Sequence, residues 1–469
     1  MSYKPVQAGH DNKEFGQGTD ERFSSWDSKK LISNIGYAKS TLLVIFLLLA
    51  FLVVTFRNLT LLRPDPVEMH NAHNLKYGLP PPIVVGEEED TKVLETPRTP
   101  CGKRVIGYYT GFESLDISEN QLKNLTHVVF AYIEMSWDGS LSFKDSKTKN
   151  RFLDLVKKSR KIKNGPKVMI SIGGEENSQY FAAVTADSRK RRFFIKSITT
   201  FLDDYKLDGI DFYWKRATEK DKWNYLSLLR ELRQRLKSQA KQVIVSITVP
   251  PAGIENWEMA YDLDQSLEYV NFINVFTMDY YGPWPNQWGT PTGPISPLYS
   301  GLGARKNFNV DWTMQYYICK ARNPYSFNIV IPFFARIWYN VSGPVEKGRE
   351  IYRNVDLVDN KAQGIPYLSR WTVDQKRIDL SNPTWDQTSN SSYIYNEKDK
   401  TFLSFETKKS IDEKSKYVVE KNLGGVWIWS VEMDDERNSL MNAIMESEIC
   451  AVGNGGGMEK KKNEVMYNC

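Results

Sequence analysis

Leu207-Asp208-Gly209-Ile210-Asp211-Phe212-Tyr213-Trp214-Lys215 is the stretch on which the fold of this 469-residue chain turns. Its branched and aromatic residues mark a strand, and side chains alternate along a strand, so Asp211, Tyr213 and Lys215 share one face. Seven comparable apolar runs flank it: RVIGYY (104–109), THVVFAYI (126–133), KVMISIG (167–173), QVIVSITV (242–249), VNFINVFTMDY (270–280), NIVIPFFA (328–335) and GGVWIWSV (424–431). Amphipathic helical stretches separate most of them. In RKRRFFIKSITTFLDDYKL, for example, Phe194, Ile198, Phe201 and Tyr205 form one stripe, Asp187 or Ser188 can cap the start, and RKRR reads as the wet face. Eight alternating units predict an α/β fold, a (β/α)8 barrel, over residues 101–450. About 70 residues between the seventh and eighth strands are left for an inserted α+β subdomain. An open doubly wound sheet is the alternative. No Gly-rich phosphate loop follows any strand, so no nucleotide cofactor is expected.

Composition narrows the chemistry. Lys and Arg total 62 against 57 Asp and Glu, a formal charge of only +5, which argues against nucleic-acid binding. With 41% hydrophobic residues and a mean hydropathy of -0.48, the chain is neither a polytopic membrane protein nor mostly disordered. There are four Cys, too few for a Cys-rich metal site, and four His, of which only His127 falls among the eight units. His127 sits in the strand-like LTHVVFAY and reads as a core residue, so Ser-His-Asp, Cys-His and zinc chemistry are not expected, nor is any other metal or cofactor. Catalysis would have to rest on carboxylates, Lys or Tyr.

Ahead of the barrel, residues 1–39 are polar and read as a disordered cytosolic tail. Ser40–Phe56 is an uncharged apolar run between Lys39 and Arg57, short for a span but placed as an uncleaved signal anchor. Lysines at 29, 30 and 39 bias the N-terminus toward the cytosol. That makes a single-pass type II membrane protein with its C-terminal domain extracellular or lumenal. Residues 57–100, rich in Pro and acidic clusters, form a stem. Residues 451–469 read as a disordered tail. Asn124, Asn340 and Asn390 open glycosylation sequons, while Asn58 abuts the membrane and is expected to stay unmodified. Cys101 precedes the first strand and Cys450 follows the last helix, so both fall at the N-terminal face of a closed barrel and are expected to pair. Cys319 reads as a buried helix residue.

The 207–215 stretch resembles the D-G-x-D-x-D-W-E signature of glycoside hydrolase family 18, the chitinases. SIGG (171–174), FTMDYYGPW (276–284), TGPISPLYSG (292–301), IPFFAR (331–336) and GGVWIWSVEMDD (424–435) are similar to that family's other blocks in the same order. The resemblance implies a substrate-assisted mechanism, in which the signature's Glu protonates the glycosidic oxygen while its last Asp and the Tyr of M-T-Y-D position the sugar's N-acetyl oxygen. Those three positions here are Lys215, Tyr213 and Met278. Asp208, Asp211 and Asp279 remain from a degenerate site with no intact catalytic set. Lys215 is a poor general acid, with a reference pKa of roughly 10.4. Its expected role is to pair with Asp211 and Asp279, which would also keep it charged and disfavour a Schiff base.

Sugar-binding positions survive better. The resemblance implies that Trp429 is the aromatic floor of the cleft and that Tyr108, Tyr132, Trp284 and Arg336 line it, flat rings suiting the apolar face of a pyranose. Trp223, on an amphipathic helix, is expected in the core. Glu175 stands where many members carry Trp after S-x-G-G, which weakens the cleft. The expectation is a membrane-anchored, catalytically inactive binder of chitin or N-acetylglucosamine oligosaccharides. The rivals are a protein-interaction scaffold with a blocked cleft and a weak residual hydrolase.

Overall fold

In the computed structural model, residues 101–113, 115–451, 467 and 469 are described. The expected tail, anchor and stem at 1–39, 40–56 and 57–100 lie outside them, and among the described residues no helix is long and apolar enough to cross a membrane. Eight strands carry the architecture: β1 (Arg104–Thr110), β2 (His127–Met135), β3 (Lys167–Gly173), β4 (Gly209–Tyr213), β5 (Ile244–Val249), β6 (Phe272–Val275), β7 (Phe327–Pro332) and β8 (Gly425–Trp429). Each pairs in parallel with its neighbour, and β8 pairs with β1, closing the barrel. Closure explains the continuous apolar runs, because barrel strands are covered on both faces. The sequence run at 270–280 is a strand only as far as Val275. Thr277–Tyr280 leaves the ladder, and Asp279 there takes a left-handed φ of 63°.

Helices shield the strands by burying one stripe each. In α1 (Ser146–Lys161), Asp145 caps the start by accepting from Thr148 N at 2.7 Å, and Phe152 and Leu155 face inward. In α2 (Ser188–Asp204), Asp187 accepts from the amides of Arg189 and Lys190, and Phe194, Ile198 and Phe201 are buried. Helix α3 (Lys222–Ser238) buries Leu228, Leu229, Leu232 and Leu236. Trp223 departs from expectation: it starts α3 on the outer side and is 40% exposed. His127 is a core residue at the barrel's lower end, 2.7 Å from Thr126 Oγ1. Burial, with Arg104 and Lys167 nearby, pushes its pKa down to about 3.

Between β7 and β8 the chain builds a five-stranded antiparallel sheet, ordered 364–369, 334–338, 401–405, 391–396 and 384–386, with a small apolar core of its own around Ile337, Leu368 and Leu403. The run NIVIPFFA is therefore shared: β7 ends at Pro332, and Phe334 begins the second sheet. That placement brings Arg336 and Tyr367 to the barrel mouth.

Disulfides join Cys101 to Cys450 and Cys319 to Cys469. Cys319 is thus half-buried on its helix, α4 (Val310–Ala321), and covalently tied rather than a packing residue. Residues 452–466 of the expected tail are outside the described set, but Tyr467 packs against the main core. Of the sequons, Asn124 and Asn340 are partly exposed. Asn390 is 9% exposed, and its Nδ2 donates to Glu413 Oε2 at 3.4 Å.

Candidate functional site

Strand register decides what surrounds the signature. Ser171 on β3 and Ser246 on β5 stand beside Asp211, and each hydroxyl donates to its carboxylate at 2.8 Å. Thr248 Oγ1 adds a contact at 3.2 Å. Asp211 is fully buried, and burial raises its pKa against the pull of these hydroxyls. Tyr108 is equally buried, its hydroxyl 3.0 Å from both Thr248 Oγ1 and Asn274 Nδ2. Both residues therefore belong to a layer inside the barrel, beneath the cleft expected for Tyr108. Asp208 lies at the opposite end, where it accepts from Val168 N at 2.8 Å and pairs with Arg160 at 2.9 Å, so its role is to join β3 to β4.

At the mouth, the two glycines of SIGG are required by close approach. Gly173 has φ 119°, and a Cβ there would meet the Tyr213 carbonyl, which accepts from Gly174 N at 2.8 Å. Gly174 has φ 82°, and its Cβ would lie 2.6 Å from the Tyr132 ring. The next residue, Glu175, then reaches across to β4 and forms ion pairs with both Lys215 and Arg216. Burial pushes the Glu175 carboxyl up, but the two cations outweigh it and hold the pKa below the ordinary glutamate value. The expected pairing of Lys215 with Asp211 and Asp279 is thus corrected. Asp211 is satisfied by hydroxyls from neighbouring strands, and Asp279 pairs with Arg336 at 2.6 Å. Half-exposed pairs such as those of Glu175 contribute only ~0–1 kcal/mol each.

Tyr213 fills the centre. It is 6% exposed and stacks on Phe276 with ring centroids 5.6 Å apart. Tyr213, Lys215, Phe276, Met278 and Asp279 border two hollows of about 640 and 660 Å³. The first has Trp429 and Tyr132 in its wall, 6.1 Å apart, with Tyr367 accepting from Trp429 Nε1 at 2.8 Å. The second contains Trp284, Trp257, Trp288 and Phe308. Arg336, expected to touch sugar, is 2% exposed. Its guanidinium lies 4.3 Å from the Trp284 ring centroid and holds Asp279, so it orients cleft residues from behind. Tyr367 and Trp257 were not anticipated. Both stand on segments outside the barrel strands, and the aromatic beside Pro366 was the only local sign of Tyr367.

Residues 104–434 match the model of glycosyl hydrolases family 18. The chain belongs to this family. Probable chitinase 10 of Drosophila melanogaster is 25% identical over 339 residues, covering 67% of this chain and 14% of that protein. Chitinase A1 of Niallia circulans is 24% identical, covering 60% of this chain and 42% of its own length. The chain therefore spans less than half of either relative. Among solved structures, the Group IV chitinase of Ostrinia furnacalis superposes with a TM-score of 0.63 at 23% identity, covering 74% of this chain and all of that one. YKL-39, crystallised in the presence of chitooligosaccharides (GlcNAc4), gives 0.62 at 19%, covering 75% and 100%. These likenesses establish a shared chitinase-like barrel.

Proposed function

We propose that this family 18 protein binds chitin or N-acetylglucosamine oligosaccharides in its cleft without hydrolysing them. The observation that carries the proposal is the Lys215–Glu175–Arg216 cluster. Where the family resemblance puts the proton donor there is a cation, and the carboxylate bound to that cation is kept ionised, so it has no proton to give near neutral pH. Tyr213 and Met278 supply neither the acetamide-binding carboxylate nor the supporting hydroxyl. The aromatic wall of Trp429 and Tyr132 persists, and pyranose rings stack on such faces. Structures of this fold with allosamidin or with GlcNAc4 support a sugar as occupant.

The proposal extends to location. Residues 40–56 act as a signal anchor, 1–39 face the cytosol, and the barrel, with its inserted sheet between β7 and β8, stands outside the cell or in a lumen. Two disulfides suit that oxidising side, and Asn124 and Asn340 are the glycan sites.

Calorimetric titration of the detergent-solubilised full chain with a soluble chitin hexamer tests the reading. Saturable heat with the sugar recovered intact is expected, and Trp429→Ala should weaken binding about tenfold or more, as loss of a stacking platform does. Shortened sugars would defeat the non-hydrolytic part. Absence of heat at millimolar ligand would defeat binding and leave a protein-interaction scaffold whose cleft Tyr213 blocks.

A further inference from the structure

The two hollows share few of their walls. Among the described residues, Tyr213 and Phe276 are the only aromatic side chains that border both. Trp429 and Tyr132 belong to the first hollow alone, and Trp257, Trp284, Trp288 and Phe308 to the second. The boundary between them is built twice over. Tyr213 occupies a position that the family pattern gives to the smaller Asp, and it is 6% exposed and stacked on Phe276. An ion-paired bridge crosses the same line: Glu175 lines the first hollow, Arg216 the second and Lys215 both, and the Glu175 carboxylate joins the two cations. The centre has also lost the groups that would hold a sugar's N-acetyl arm, since Tyr213 and Met278 stand in their places.

We infer that the cleft holds two oligosaccharides at once, one in each hollow, each entering by a chain end that stops at Tyr213. The inference rests on the sugar-binding reading above and adds how many chains that site takes. At about 640 and 660 Å³, each hollow lies within the roughly 300–1,000 Å³ that suffices for a small ligand, and each has flat rings on which a pyranose can stack. A chain laid across the boundary would have to push a packed tyrosine out of its seat and would find no polar partner for its central N-acetyl group. Two chains that each end at the boundary keep the stacking on both sides and leave Tyr213 where it is. The consequence is a bivalent protein that joins two chain ends.

Equilibrium dialysis of the detergent-solubilised full chain against a saturating chitin trimer and, separately, a hexamer counts the sugars bound. Two molecules per protein are expected for both, because the extra length of the hexamer projects out of the cleft. Trp429→Ala and Trp257→Ala each alter one hollow, and each should lower the count from two to one at a concentration that fills the parent protein. The hexamer decides between one groove and two sites: a continuous groove would take two trimers but a single hexamer, so one hexamer per protein overturns the inference. One trimer per protein overturns it as well, since only one hollow then binds, and in both cases the proposed function stands. A count of two that neither substitution lowers also overturns it, because the sugars would then sit outside the hollows. Silence with both sugars removes the inference and the proposed function together.

Discussion

Lys215 and Glu175 each depart from the family pattern, and each makes sense only beside the other. A lone Lys at a strand end would leave a cation without a partner, and a lone Glu in place of an aromatic would bring charge into an apolar cleft. A second acid, Glu432 just after β8, is fully enclosed: Oε1 accepts from Thr110 N at 2.8 Å, while Oε2 is buried without a partner among the described residues. Burial pushes its pKa up from 4.5 to about 7. Between those values the folded state keeps a proton that the unfolded state has released, so stability falls as pH rises through this window and levels off above it. The loss from this one group amounts to roughly 3 kcal/mol. Glu432→Gln should flatten that part of the profile, read as the difference between the two proteins in urea unfolding free energy at pH 4.5 and 8. Parallel profiles would mean that Glu432 titrates in the fold as it does in the unfolded chain.

At the level of elements, the strands were legible because a doubly covered strand must be apolar throughout, a property local enough to read in six to eight residues. What continues past a strand was not legible. FTMDY extends the apolar run of β6 yet leaves the ladder, and Phe334-Ala335 continue the run of β7 in sequence but belong to another sheet. The same limit applies to Cys319: nothing in WTMQYYICKAR signals a partner 150 positions away. That bond closes a loop long enough that its removal should cost roughly 2–5 kcal/mol. Replacing Cys319 and Cys469 together by Ser should therefore lower the denaturant midpoint of the full chain and release Tyr467 from the core, whereas a tail without structural role would leave the midpoint unchanged. A barrel cut after residue 450 would carry the same defect.

For the molecule as a whole, the sequence located the cleft but not its division. Asp211, Tyr213 and Lys215 alternate on one face as a strand requires, yet they do three different things: Asp211 ties the inner layer, Tyr213 fills the centre and Lys215 holds Glu175. Alternation specifies a face; depth along the barrel axis and reach across to other strands come from register and from loops far away in sequence. The result is two hollows of similar size meeting at the Tyr213–Phe276 stack. If Tyr213 is the divider, affinity for neutral oligomers of increasing length should level off once one hollow is full, because further rings find no continuous floor. Tyr213→Ala removes the ring, exposes Phe276 and connects the hollows, at about 3–5 kcal/mol of fold stability, the usual cost of truncating a buried aromatic. In that variant affinity should keep rising with length. Calorimetry over the oligomer series distinguishes the outcomes: identical length dependence in both proteins would mean that the chain crosses above Tyr213 without meeting it, and that the two hollows are one continuous groove.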